Sequence, residues 1–147
     1  MTDLAARAIE LKKSVDLISA RFALASSDEL SIQELKIVDF IGGRESCIMR
    51  EISEYMQVAV STMTGIVDKL EDRGLVKRER NDEDRRIVRV LLTNKGRKLY
   101  KSYVENYLEL SRQMLQSLSE DEQKTYLELT RKIAQEATHF TAFNSGG

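Results

Sequence analysis

Residues 58–93 read VAVSTMTGIVDKLEDRGLVKRERNDEDRRIVRVLLT, and this stretch predicts a helix, a glycine turn and a two-stranded β-ribbon. Apolar side chains recur at helical spacing and predict one buried helix face: Val60, Met63, Ile66, Val67 and Leu70. Gly74 stands where the helix would end, at a position that favours a residue able to adopt positive φ. Residues 75–76 and 87–92 are apolar and β-branched enough to pair as strands.

The opposite face of this helix carries short hydroxyl side chains, so the helix could approach a duplex closely and hydrogen-bond to base edges. The candidate reading residues are Ser61, Thr62, Thr64, Gly65 and Lys69. For the serine and the threonines, simple capping of the helix is the alternative. Residues 80–86, between the strands, are too polar to bury and too long for a two-residue hairpin, which predicts an exposed basic tip.

Positive charge is concentrated around the ribbon. Residues 73–101 contain 11 Lys and Arg against 4 Asp and Glu, whereas the whole chain contains 23 against 24. Phosphate is the obvious counter-charge for such a surface, although runs of charge are more often only solvated faces.

Five short motifs occur here in an order and at a spacing typical of one family. They are STMT at 61–64, DKL at 68–70, RGLV at 73–76, DRR at 84–86 and LTNKG at 92–96. Together they resemble the MarR family of winged helix-turn-helix transcriptional regulators. The resemblance implies a mainly α fold with a small β wing, a homodimer, and double-stranded DNA as the partner.

The resemblance also implies roles for the tip of the wing. Arg86 would enter a narrow minor groove, where the negative potential is enhanced, and Asp84 would hold Arg86 in position. Arg85 would face phosphate or Asp84. A surface ion pair without any ligand is the alternative, more so for Arg85 than for Arg86.

Two positions depart from the family pattern. Gly65 stands where Arg is common, so we expect this protein to read sequence more through shape, phosphate placement or Lys69. Ala59 stands where a capping Ser is usual, and losing that cap should cost about 1 kcal/mol.

Six further residues are candidates for phosphate contacts, which position a protein on DNA without specifying a sequence: Ser31, Gln33, Arg73, Lys77, Arg78 and Arg80. Strand alternation puts Lys77 and Arg78 on opposite sides of the ribbon, so not all of these residues can touch one backbone. Ser31 and Gln33 would act through backbone N–H groups at a helix start.

Two shorter helices are expected upstream. Residues 31–34, SIQE, form a capping box that starts a second helix, which Gly42–Gly43 ends. A third helix is expected over 47–56, and residues 57–59 would turn tightly into the reading helix. This is the helix-turn-helix arrangement.

Helices with narrow apolar seams are expected near both ends, over about residues 4–24, 93–117 and 119–140, and Ser119 with Glu122 forms a second capping box that starts the last of them. Because such seams need a partner, we expect a second copy to cover them. The predicted segments are an N-terminal dimerisation helix at 1–30, a winged helix-turn-helix DNA-binding lobe at 31–93 and C-terminal dimerisation helices at 94–147. A two-fold dimer would read a pseudo-palindromic site.

Three tyrosines and one cysteine are candidates for regulation. Tyr100, Tyr103 and Tyr107 could line a crevice for a small aromatic effector, as in relatives, although aromatic residues at helical spacing more often belong to the core. Cys47 is a candidate redox sensor, because a helix N-terminus and nearby arginines can lower a thiol pKa. A buried, inert cysteine is the alternative.

Composition and motifs argue against several other classes. One cysteine, no apolar run of membrane-spanning length and no signal-peptide pattern predict a cytoplasmic location without membrane association. The chain lacks a catalytic constellation and a phosphate-binding glycine loop, so we expect neither an enzyme nor a cofactor. His139 has no partner at ligand spacing, so no metal site is expected.

The sequence therefore predicts a sequence-specific DNA-binding transcriptional regulator, in the simplest case a homodimeric repressor that a small-molecule effector releases from its operator. Two alternatives stay open. One is a winged-helix protein-interaction module without sequence-specific DNA binding, and the other is a redox-sensing regulator acting through Cys47.

Overall fold

The structure is a computed structural model that describes residues 2–25 and 30–137. The elements within these residues are, in chain order, α1 (Asp3–Ala25), α2 (Ile32–Gly42), β1 (Cys47–Ile48), α3 (Met49–Met56), α4 (Val60–Asp72), β2 (Val76–Arg80), β3 (Val88–Leu92), α5 (Asn94–Gln116) and α6 (Glu120–Glu136). This mainly helical fold with one small antiparallel sheet confirms the predicted fold class.

Two compact units divide the chain between Leu108 and Glu109, within α5. The first unit holds the buried core, to which α2, α3, α4 and the sheet each contribute. Its fully buried side chains are Ile37, Val38, Ile41, Ile52, Met63, Val67, Leu70, Val76 and Val90. The core therefore fixes α4 and the sheet against a common apolar interior, as burial of apolar surface from each element requires.

The predicted capping signals start their helices. At α2, the Ser31 hydroxyl accepts from the Glu34 N–H at 3.2 Å, and the Glu34 carboxylate accepts from the Ser31 N–H at 2.8 Å. Ser119 and Glu122 form the same reciprocal pair at α6. Each pair satisfies N–H groups that the first turn of a helix leaves without a backbone partner.

The sheet has three strands in the order β1-β3-β2, all antiparallel. The predicted ribbon is present as β2 and β3, and the third strand, β1, was not predicted. Cys47 pairs with Val90 and Ile48 with Arg89. The prediction of a helix beginning at Cys47 was therefore wrong, and α3 begins at Met49. Pairing on the free edge of β3 satisfies backbone groups there and buries the Cys47 side chain, which a helical start would not do.

The turn between α4 and β2 has the geometry predicted for a glycine. Gly74 adopts φ +71°, which L-residues with a Cβ rarely adopt. The Gly74 N–H donates to the Glu71 carbonyl at 2.8 Å, and the Leu75 N–H donates to the Leu70 carbonyl at 3.0 Å. These two bonds close the last turn of α4 and direct the chain into β2.

The start of α5 is bonded to this same turn. The Thr93 N–H donates to the Leu75 carbonyl at 3.0 Å, and the Thr93 hydroxyl donates to the Gly74 carbonyl at 2.5 Å. Thr93 also caps α5, because its hydroxyl oxygen accepts from the Gly96 N–H at 3.0 Å. A Cβ on Gly96 would lie 2.0 Å from the Leu75 carbonyl oxygen, so the close approach requires glycine.

The apolar residues of the predicted seams are exposed on the terminal helices. On α1, the exposed residues include Leu4, Leu11, Val15 and Ile18. On α6, which belongs to the second unit, they include Tyr126, Leu129 and Ile133. The predicted continuation of the last seam to Phe140 and the lone His139 lie outside the described residues. In the described part of the chain, no helix is long and apolar enough to cross a membrane.

Candidate nucleic-acid interface

A short, fixed turn joins α3 to α4. Gln57 ends α3 in the left-handed conformation, with φ 53°. Ser53 then binds the turn twice: its hydroxyl donates to the Val58 carbonyl, and its carbonyl accepts from the Val58 N–H at 3.1 Å. These bonds set the direction in which α4 leaves α3, which is the arrangement of a helix-turn-helix.

The face of α4 opposite the core is shallow. Met63, Val67 and Leu70 are buried, as predicted, and Ile66 is partly buried. The exposed residues on the other side are Ser61, Thr62, Gly65 and Lys69, while Thr64 is half-buried. An added Cβ on Gly65 would meet no atom within 4 Å, so the surface is open at that position.

Two details of this face differ from the sequence expectation. Val60, predicted to be buried, is 48% exposed at the first position of the helix. The Thr64 hydroxyl, predicted to face bases, donates to the Val60 carbonyl of its own helix at 2.8 Å. This bond uses the hydroxyl proton of Thr64, which leaves its oxygen and its methyl group for other contacts.

The N-terminus of α4 carries no side-chain cap. Ala59 is the N-cap residue, makes no side-chain hydrogen bond and is exposed, as expected from its missing hydroxyl. No acidic residue lies in the first turn. The uncapped N–H groups and the positive end of the helix dipole therefore face solvent, where they favour an anion.

The tip of the wing presents one arginine held by a neighbouring carboxylate. Asp84 Oδ1 accepts from the Arg86 backbone N–H at 3.0 Å and from the Arg86 Nε at 3.2 Å. The Arg86 side chain is nevertheless 92% exposed. Arg85 beside it is exposed as well. The predicted Asp84–Arg86 contact is thus present, and it orients the guanidinium while leaving most of its surface open to solvent.

Arg78 is not the open phosphate contact that the sequence suggested. Its guanidinium donates to Asp68 Oδ1 at 2.7 Å and to the Glu71 carboxylate, both on α4, and its side chain is only 23% exposed. Burial acts to lower the pKa of Arg78, but hydrogen bonds to Asp68 and Glu71 outweigh burial and raise that pKa. Arg78 therefore binds the wing to α4, and its charge is compensated within the protein.

The other candidate phosphate contacts differ in how open they are. Arg80 on β2 and Gln33 on α2 are exposed. Lys77 pairs with Glu79 at 2.5 Å, and Arg73 lies 3.7 Å from the Glu34 carboxylate. The Ser31 N–H donates to the Glu34 carboxylate, so it is not available for the phosphate contact that the sequence suggested.

The Glu34 carboxylate is favoured in its charged form by its partners. The backbone hydrogen bond from Ser31 is the largest of the effects that lower the pKa of Glu34, with smaller contributions from Arg73 and Lys69. The charged carboxylate therefore keeps the α2 cap intact near neutral pH.

A cleft of about 370 Å³ lies in the first unit beside two of the predicted crevice tyrosines. It is lined by Lys36, Asp39, Tyr55, Tyr103, Val104, Tyr107 and Leu108. Tyr100 is not among these residues, and its ring instead fills the space above Gly42, where an added Cβ would lie 2.5 Å away. Burial raises the pKa of the Asp39 carboxyl, and burial together with Asp39 raises the pKa of Tyr103.

Cys47 lacks the environment of a reactive thiol. Its side chain is 2% exposed, and its thiol donates weakly to the Val90 carbonyl at 3.8 Å. Burial, with a smaller effect from Glu51, raises the pKa of the Cys47 thiol to about 11, against an opposing effect of Arg44. Cys47 also lies on β1 rather than at a helix start. The structure therefore favours the buried, inert cysteine over the redox sensor.

Residues 30–88 match the model of the MarR family. Among known proteins, the chain is 31% identical over 99 residues to the uncharacterized HTH-type transcriptional regulator YfiV of Bacillus subtilis, covering 67% of this chain and 62% of YfiV. It is 32% identical over 87 residues to the HTH-type transcriptional repressor MdtR of the same organism, covering 59% of this chain and 56% of MdtR. The chain thus spans less than two thirds of the length of these relatives.

The fold is similar to that of solved structures over almost the whole chain. The Streptococcus pneumoniae protein FabT, solved in complex with DNA, superposes with a TM-score of 0.82 at 23% identity, covering 93% of this chain and 99% of FabT. A MarR-like transcriptional regulator from Thermotoga maritima superposes with a TM-score of 0.74 at 28% identity, covering 94% and 98%.

Proposed function

We propose that the chain is a sequence-specific DNA-binding transcriptional regulator of the MarR family, whose model matches residues 30–88. The observation that carries the proposal is the pairing, on one lobe, of an exposed hydroxyl face on α4 with a guanidinium at the wing tip. Arg86 is open to solvent but oriented by Asp84. A helix of this width fits a major groove, and an oriented arginine suits the adjacent minor groove.

Charge on the lobe supports the same partner. Arg80, Arg85 and Lys69 are exposed around α4 and the wing, and the α4 N-terminus is uncapped. We assign Ser61, Thr62, Gly65 and Lys69 to the approach to base edges, and Arg73, Lys77, Arg80 and Gln33 to phosphates. Acting on promoter DNA, the protein would work in the cytoplasm.

A homodimer is the second part of the proposal. The exposed apolar residues of α1 form a larger apolar face than a soluble monomer normally leaves in water. A second copy of the chain is the partner that would cover this face. Two lobes related by a two-fold axis would bind a pseudo-palindromic operator, with half-sites about one duplex turn apart.

Repression and release by a ligand are the third part. A relative that shares 32% identity is named a repressor, which favours repression over activation. The cleft lined by Tyr55, Tyr103 and Tyr107 has a size suited to one small aromatic molecule, and Lys36 and Asp39 supply polar groups at its wall. Such a ligand would release DNA only through a higher affinity for the non-binding conformation.

The experiment begins with selection of bound duplexes from a random pool, followed by titration with salt. We expect one symmetric site, and a log–log slope of affinity against salt of several units. Arg86→Ala and Lys69→Ala should weaken binding, whereas Arg112→Ala, which removes an exposed cation of α5, should not. If no duplex is enriched, or if both lobe variants bind as the wild type does, the lobe serves instead as a protein-interaction module.

Dimerisation is measured separately by sedimentation of the full chain. We expect a dimer for the wild type and a monomer for Val15→Asp, because the substitution would bury a carboxylate in the proposed apolar interface. Lys13→Asp, which changes an exposed residue on the opposite side of the same helix, is the control. A monomeric wild-type protein would contradict the homodimer.

A further inference from the structure

We propose that Val60 is a specificity-determining residue that reads the 5-methyl group of a thymine in the major groove. The inference rests on the proposed DNA-binding function and names the base feature that α4 recognises. It begins from an apolar side chain that lies outside the core. Val60 is the first residue of α4 and is 48% exposed, although the spacing of its neighbours predicted it to be buried.

The position of Val60 on the helix supports this reading. A helix turns 100° per residue, so Val60 and Thr64 lie in one row, next to the row of Ser61 and Gly65. Met63 and Val67 lie on the buried side. Val67, seven residues after Val60, lies about 20° from it around the helix axis, so Val60 stands at the boundary between the buried side and the shallow face. It belongs to the turn of α4 nearest to the uncapped N-terminus. That end of a reading helix is the one that contacts base edges in helix-turn-helix proteins.

The chemistry of the neighbouring residues limits what this end can read. None of the residues from Ala59 to Gly65 carries an amide or a guanidinium, the groups that bind adenine or guanine through two hydrogen bonds. Thr64 has its hydroxyl proton engaged by the Val60 carbonyl, so its γ-methyl group adds to the apolar row. Gly65 contributes no side chain and leaves space open beside that row.

A methyl group on the protein can recognise one feature of an unmodified base pair in the major groove, which is the 5-methyl group of thymine. Contact between the two apolar groups removes both from water, and nothing else on the base edge is favoured by a valine. Val60 would therefore contact a thymine in each half-site, and the γ-methyl group of Thr64 is the nearest further apolar contact.

The test uses the duplex selected for the full-length protein, in which each thymine in turn is replaced by uracil. Uracil pairs as thymine does but lacks the methyl group. We expect one symmetry-related thymine pair at which the wild type loses affinity about fourfold per half-site, the equivalent of one buried methyl group. At that position, Val60→Ala should discriminate between the thymine and uracil duplexes much less than the wild type does, because only the alanine methyl group and Thr64 remain to contact the thymine. Val88→Ala, which truncates an exposed valine of the wing, should keep the discrimination of the wild type.

Val60→Thr, which keeps the shape of the side chain but replaces one methyl group by a hydroxyl, should lose part of the discrimination. The inference is overturned if no uracil substitution weakens the wild type, or if Val60→Ala retains the full sensitivity to uracil. Either result would leave DNA binding itself intact. Failure to enrich any duplex would instead overturn the proposed DNA-binding function, and with it this reading of Val60.

Discussion

The guanidinium of Arg78 on β2 donates to Asp68 Oδ1 on α4 at 2.7 Å, and so joins the strand and the helix that we propose to lie against a duplex. Glu71, one turn further along α4, binds the same guanidinium and also accepts from the Arg78 backbone N–H at 3.3 Å. Because the two carboxylates belong to one helix and the arginine to a strand, the contact limits rotation of α4 relative to the wing.

Arg78→Gln should therefore act through positioning rather than through a lost phosphate contact. We expect a loss of about 1 kcal/mol in the free energy of unfolding, since the ion pairs are only partly shielded from solvent. The slope of DNA affinity against salt should stay unchanged, while the preference for the selected duplex over random DNA falls. Arg80→Gln, on the exposed strand end, should reduce the slope by about one unit and keep the preference. A reduced slope for Arg78→Gln would show that Arg78 binds phosphate.

Arg86→Ala should lower affinity for the selected duplex by about tenfold without changing the melting temperature, because its side chain is 92% exposed and so open an ion pair with Asp84 contributes little to stability. Asp84→Asn should lower affinity less, since it weakens the orientation of Arg86 but keeps the cation. Binding isotherms at fixed salt check both variants. Equal affinities of Arg86→Ala and the wild type for the duplex would show that the wing does not contact DNA.

Gly65→Arg should restore to α4 a side chain that can grip guanine. No atom lies within 4 Å of the added Cβ, so the substitution meets no steric barrier. Duplexes selected by this variant should gain a guanine in each half-site, with about 1–3 kcal/mol of discrimination. Gly65→Ala is the control: it should stabilise the fold by up to about 1 kcal/mol through helix propensity and leave the selected sequence unchanged. If both variants select the wild-type site, position 65 does not face base edges.

Burial of Cys47 should appear in the dependence of stability on pH. The thiol pKa is raised from 9.0 to about 11 in the folded protein, so the unfolded chain loses this proton first as pH rises. The stabilisation is fully present below pH 9 and is lost between pH 9 and pH 11, by about 2 kcal/mol at the upper end. The difference in unfolding free energy between the wild type and Cys47→Ala should shrink over this range. A constant difference would contradict the raised pKa.

Thiol labelling gives an independent measurement on the same residue. The folded protein should react much more slowly at pH 7 than its denatured form, because the thiol is both buried and protonated. Labelling at the rate of a free thiol would instead return Cys47 to consideration as a redox site.

The sequence by itself determined the features that depend on local interactions. Helical periodicity gave the buried residues Met63, Val67 and Leu70, and the capping boxes at Ser31 and Ser119 started their helices. The positive φ of Gly74 followed from the need to stop α4. Each of these features arises within about one helical turn of chain, so the spacing of residue types is enough to predict it.

Only the tertiary structure decided the features that join distant positions. Cys47–Ile48 became a strand because β3 offered a free edge more than 40 residues later, and two residues are too few to carry a pattern of their own. Arg78 found its two carboxylate partners seven and ten residues back, on α4. Val60, at the first position of α4, was left 48% exposed, although Val67 on nearly the same side of the helix is buried. Pairing, charge compensation and burial of this kind depend on which surfaces meet in space, and a one-dimensional pattern does not contain that information.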